Sequence, residues 1–131
     1  MKVTHIFAAT LIVGGSLVHT AQAQKPELGR TELTHRDFGD SVHEVIQTRV
    51  DFAPGAAFPK HSHPGVEVAY VLKGSLEYQL DRQPPVTLQA GDSLFIPAGT
   101  IHSARNVGSG DASELATYVV EKGKPIVVVA P

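Results

Sequence analysis

The sequence predicts an all-β protein, a single small sandwich or barrel with little or no helix. Three observations carry this. Short runs rich in Val, Ile, Leu, Tyr and Phe recur along the 131 residues, clusters of Gly and Pro separate them, and no stretch keeps an apolar 3.6-residue period across three turns. Inside the runs the period is two. In Ser75 to Leu80, Leu76, Tyr78 and Leu80 share one face while Glu77 and Gln79 share the other, as a strand with one face in the core requires.

The elements follow in order. Residues 1–23 read as a signal peptide: Lys2 gives a charged start, Ile6 to Val18 an apolar stretch of 13 residues, and Ala21-Gln22-Ala23 a small-x-small cleavage site. That stretch is shorter than the roughly 20 residues a spanning helix needs, so an exported chain, periplasmic or secreted, with no membrane partner after cleavage is expected. Residues 24–40 are expected to be a polar leader or a loosely attached first strand, and residues 41–131 the barrel domain. Strands are expected at Val42 to Phe52, Val66 to Leu72, Ser75 to Leu80, Val86 to Leu88, Ser93 to Ile96, Ile101 to Val107, Glu114 to Val120 and Ile126 to Val129. Pairs such as Pro54-Gly55, Pro64-Gly65, Lys73-Gly74, Pro84-Pro85 and Ala90-Gly91 punctuate them. The last run is an apolar terminal strand that needs a cover, and a homodimer is one way to supply it.

Composition excludes several classes. Without the leader, ten Lys and Arg face thirteen Asp and Glu, a net charge of about −3, with no basic run to meet a phosphate backbone, so no nucleic-acid partner is expected. Cysteine is absent, which removes disulfides and any thiolate metal site.

Histidine and glutamate then become the informative residues. His61 and His63 lie two apart on a strand and can face one point, Glu67 opens the next strand on its inward side ahead of Ala69 and Val71, and His102 arrives from a distant strand. Three imidazole nitrogens and a carboxylate suit one divalent transition metal ion, whether Fe, Mn, Ni, Cu or Zn, and leave room for water or substrate. His35 and His43 are expected at the surface or a pocket rim. Phe52, Phe58, Tyr70, Tyr78 and Phe95 are expected chiefly as core fillers, and Gln47 and Arg49 as candidates for orienting a substrate at a barrel mouth.

These residues sit in a frame. Gly55, His61, His63, Glu67 and Gly74 form one set, and after 16 intervening residues Gly91, Pro97, Gly99, His102 and Asn106 form a second. All ten positions resemble the two signature motifs of the cupin superfamily. The resemblance spans residues 55–106 and implies a double-stranded β-helix, or jelly-roll barrel, with a metal inside it at His61, His63, Glu67 and His102. Gly74 and Gly91 are expected at strand reversals with positive φ, and Asn106 is expected to tie down a loop rather than touch the ion.

The scaffold does not choose a reaction. A metal-dependent enzyme of dioxygenase type, acting on a small organic molecule with Glu67 leaving the ion to serve as a base, is the first expectation. The alternative is a non-catalytic module in which the ion clamps a ligand or stabilises the barrel.

Overall fold

The computed structural model describes residues 27–40 and 42–131, so the leader at 1–23 lies outside the described residues. Ten strands follow one another: β1 Leu28–Asp37, β2 His43–Phe52, β3 Ala57–Ser62, β4 Val66–Lys73, β5 Ser75–Leu80, β6 Val86–Gln89, β7 Ser93–Ile96, β8 His102–Asn106, β9 Ala112–Glu121 and β10 Val128–Val129. No helix occurs among the described residues. The strands make two antiparallel five-stranded sheets, ordered β1-β2-β9-β4-β7 and β10-β3-β8-β5-β6, which face one another as a jelly-roll barrel.

The period of two decides what fills the space between the sheets. From β4 the side chains of Glu67, Ala69 and Val71 turn inward, and from β5 those of Leu76, Tyr78 and Leu80. Val50 and Phe52 of β2, Ala104 of β8 and Ala112 of β9 complete one apolar cluster. A second gathers Ile46, Ala116, Tyr118 and Val120, with Ile126 packed against it.

Corners require glycine. β4 belongs to one sheet and β5 to the other, and the chain crosses between them in the single residue Gly74, at φ +75°. A Cβ there would lie 2.8 Å from that of Ala112. Gly65 is needed for closeness rather than for φ: a Cβ would fall 2.0 Å from the carbonyl oxygen of Val119, so glycine alone lets the chain settle on β9 just before Glu67. Asn106 ties down its loops. Its Nδ2 donates to the carbonyls of Phe52, Ala53 and Gly110 at 3.1, 3.2 and 2.8 Å, and its Oδ1 accepts from the Gly108 amide.

Several expectations are corrected. The strand expected to carry both His61 and His63 is β3, set against β8, and it ends at Ser62, one residue before His63; its limits were not marked because Pro59 and Lys60 interrupt its apolar signal. Tyr70 and Phe95 are not core fillers: they are 43% and 58% exposed on the outer face of the first sheet. Gln47 and Arg49 also point outward, since the inward positions of β2 are Ile46, Thr48, Val50 and Phe52. Arg49 pairs with Asp51 at 2.7 Å, and Gln47 donates to Thr117 at 3.2 Å.

Candidate metal centre

Both sheets build the site. His61 of β3 and His102 of β8 are directly opposite partners in the second sheet, brought level by a register shift between Phe58 and His61. Glu67 comes from β4 in the facing sheet, beside Tyr118 on β9 and Ile96 on β7. His63 lies just past the end of β3, where its carbonyl accepts the Gly99 amide at 2.9 Å. The donor atoms of all four residues fall within 4.8 Å of one another, and all four side chains are buried.

The hydrogen bonds set the protonation of the rings. Each Nδ1 faces a backbone carbonyl: His61 that of Pro59 at 2.7 Å, His63 that of Ile126 at 2.6 Å, and His102 that of Thr100 at 2.9 Å. A carbonyl only accepts, so each Nδ1 carries the proton and each Nε2 lone pair is left to face the centre. There His63 Nε2 lies 2.8 Å and His102 Nε2 3.2 Å from Glu67 Oε2. A protonated imidazole would make the shorter contact an ion pair. Yet His63 Nε2 and Glu67 Oε2 are both buried without a hydrogen-bond partner, as two acceptors placed to bind a cation would be.

The charge states of His61 and Glu67 agree with that reading, whereas that of His102 leans toward the protonated form. Burial holds the His61 imidazole down to about 4, so it is neutral near pH 7. For Glu67 burial works against the charge, but His102 and His63 outweigh it and lower the carboxyl to about 2. Burial likewise opposes charge on His102, where Glu67 and the Thr100 carbonyl prevail and raise its pKa. A neutral imidazole and an ionised carboxylate are the forms that bind a cation. The residues therefore fit one divalent transition metal ion.

Comparison with known proteins agrees with this architecture. Residues 48–118, more than half of the chain, match the family model of the Cupin domain. The chain belongs to the cupin family. Among similar proteins are germin-like protein 3-5 of Oryza sativa subsp. japonica, 30% identical over 86% of this chain and 52% of its own, and oxalate oxidase GF-2.8 of Triticum aestivum, 35% identical over 67% of this chain and 43% of its own. This cupin thus spans about half the length of the relatives it matches. A solved recombinant oxalate oxidase in complex with glycolate superposes with a TM-score of 0.64, at 28% identity, over 78% of this chain and 54% of that one.

The remaining histidines of this cupin stand apart. His35 and His43 are exposed, paired with Glu44 and Asp40, each at 2.8 Å. His61, Glu67 and His102 share a cavity of about 10 Å³ with Phe58 and Tyr78, two of the aromatic residues singled out in the sequence, and with Val50, Ala104, Glu114 and Tyr118, which the sequence reading missed. Its space is that of about one water molecule. A roomier hollow of about 390 Å³ near the ends of β1 and β2 contains none of the four donors, and of its charged residues, Glu27, Arg49, Lys73 and Asp111 are exposed and Asp51 is half-buried. Desolvation strengthens polar contacts more in the small buried cavity than in this open hollow.

Proposed function

We propose that this cupin is a metal-dependent enzyme of dioxygenase type that acts on a small organic molecule. The observation that carries the reading is the set of unpartnered, buried acceptors at the centre, adjoining a cavity into which part of a ligand fits. His61, His63, Glu67 and His102 would hold the ion. A bound divalent ion would supply an open coordination position and Lewis acidity. The chain does the rest: the Pro59, Ile126 and Thr100 carbonyls orient the three imidazoles, the two sheets keep water out, and Glu67 serves as the proton acceptor of the site. The relatives named oxalate oxidase support oxygen chemistry on a small carboxylate as the first class to examine.

The decisive experiment loads the protein with Fe(II), Mn, Ni or Cu and follows O₂ uptake with oxalate and with phenolic, diketone and thiol compounds. Uptake that disappears in His61→Ala is expected. No uptake with any pair would overturn the oxygenase reading. The small size of the cavity favours a second reading, an ion that stabilises the barrel or clamps a ligand without turnover. That reading fails if chelation leaves the melting temperature unchanged while His61→Ala abolishes a turnover.

Export and assembly complete the proposal. Residues 1–23 would direct export, so the mature protein is expected to begin at Gln24 on N-terminal sequencing. β10 pairs on one side with β3 and leaves Val128 and Val129 50% and 66% exposed, an edge that a second copy would cover. Light scattering is expected to give the mass of a dimer, and a monomer at all concentrations would overturn this.

A further inference from the structure

The cavity beside the metal donors contains a second carboxyl group that metal binding does not use. Glu114 lies on β9, at the inward-facing position set by its neighbours Ala112, Ala116 and Tyr118. Opposite it across the first sheet stand Val50 of β2 and Val71 of β4, and beyond Val50 the inward row continues to Arg30 of β1. That row is apolar at its buried positions except for Glu114, which is 6% exposed. A carboxyl group in such a place is costly unless something engages it.

Two observations indicate what does. The Tyr78 hydroxyl, arriving from β5 in the other sheet, donates a short hydrogen bond to Glu114 Oε2 and so fixes the plane of the carboxyl group. Tyr78 and Glu114 both line the cavity that His61, Glu67 and His102 line, together with Tyr118. The charged and titratable groups that act on Glu114 are Glu67, Tyr78, His102 and Arg30. Arg30 is exposed and lies with its guanidinium 5.5 Å from the ring of Phe58, which lines the same cavity.

We propose that Glu114, oriented by Tyr78, contacts the small molecule taken into this cavity and hydrogen-bonds a carboxyl or hydroxyl oxygen of it. This deepens the metal-enzyme reading and rests on it for the identity of the cavity as the ligand site. Burial is the main cause that raises the pKa of this carboxyl group, and the Tyr78 hydroxyl works against it. A cavity holding about one water-sized group admits the oxygen of a ligand rather than its whole body. The ligand that fits is therefore one that presents a single oxygen to Glu114 within this cavity.

Formate, the smallest carboxylate, is the probe. Its affinity for the full-length, metal-loaded protein is measured by calorimetry in wild type, Glu114→Gln, Glu114→Leu and Tyr78→Phe, with metal content determined alongside. Metal content is expected to be unchanged in all four. Glu114→Gln keeps a hydrogen-bonding group and is expected within about threefold of wild type, whereas Glu114→Leu is expected to bind formate about tenfold more weakly. Tyr78→Phe leaves the acid in place but unoriented and is expected to lose affinity severalfold, which keeps the test alive if the leucine variant does not fold.

Wild-type affinity in both Glu114→Leu and Tyr78→Phe would overturn the proposal, and so would failure of wild type to bind formate. Loss of the ion in the Glu114 variants would overturn it too, because Glu114 would then be supporting the metal rather than the ligand. If wild type itself holds no ion, the proposed function falls separately. The formate series on metal-free protein then decides the Glu114 contact by the same affinity differences.

Discussion

At the scale of single residues, the centre of this cupin is organised by atoms outside the ligand set. Three carbonyls hold three Nδ1 protons in place, and that alone turns every Nε2 inward. Glu114 shows the converse, a side chain whose burial sets its own behaviour. With the metal absent, its folded pKa of about 7 lies above the ordinary 4.5, so the stability it contributes is complete below pH 4.5 and is lost as pH rises through 7. His61 has the opposite sign. Its folded value of about 4 lies below the ordinary 6.5, and its contribution is present above 6.5 and lost as pH falls toward 4. Metal-free Glu114→Gln is therefore expected to be more stable than metal-free wild type at pH 8, by roughly 3 kcal/mol or less, with the gap closing at pH 5. Thermal melts at the two pH values check this, and a gap that widens toward acid would contradict it.

At the scale of elements, two short pieces of chain control the site from outside it. Gly65 lets the turn between β3 and β4 lie against β9, which sets where Glu67 starts its strand. Gly65→Ala is expected to cost about 2–3 kcal/mol, since the clash is with backbone and one strand must move. Urea denaturation measures the loss, and an unchanged midpoint would refute the close-approach argument. The segment after β9 is the second piece. Ile126 packs on the Ile46 cluster and offers its carbonyl to His63, and β10 then pairs with β3 at Ser62 and at the donor His61 itself. Removing residues 126–131 takes away both the carbonyl that holds His63 and the strand paired with His61, and is expected to weaken metal binding by about tenfold or more. Competition with a chromophoric chelator reads this out, and full affinity in the shortened protein would show that the Ile126 carbonyl is dispensable.

At the scale of the whole molecule, the metal site is a clasp between two sheets. His61 and His102 belong to one sheet and Glu67 to the other, so a bound ion links the two across the core. An ion that binds only the folded state, supplied at a thousand times its dissociation constant, adds about 4 kcal/mol to stability. Removing it with a chelator is accordingly expected to lower the melting temperature by more than 10 °C for a domain of this size. An unchanged melting curve would mean that the clasp carries no load.

The boundary between what was legible in the sequence and what was not follows from the range of the forces. The strand runs, the glycine corners and the ten framed positions depend on local geometry or fixed spacing, so β2 and β4 to β9 could be read to within a few residues. The four donors were legible for the same reason. The limits of β3 were not, because Pro59 and Lys60 interrupt its run and its pairing with β8 supplies what its composition lacks. Tyr70 and Phe95 misled because an aromatic residue in a strand carries no mark of which face it occupies.

By itself the sequence determined an all-β barrel and the four residues able to hold an ion, since both rest on period and spacing along one chain. Tertiary structure alone decided which carbonyls lock the imidazoles, that the tail supports His63, and that Glu114, Tyr78 and Tyr118 share a cavity with the donors. Those relations join residues distant in sequence and on different strands. No local pattern records them, because they exist only once two sheets have closed on each other.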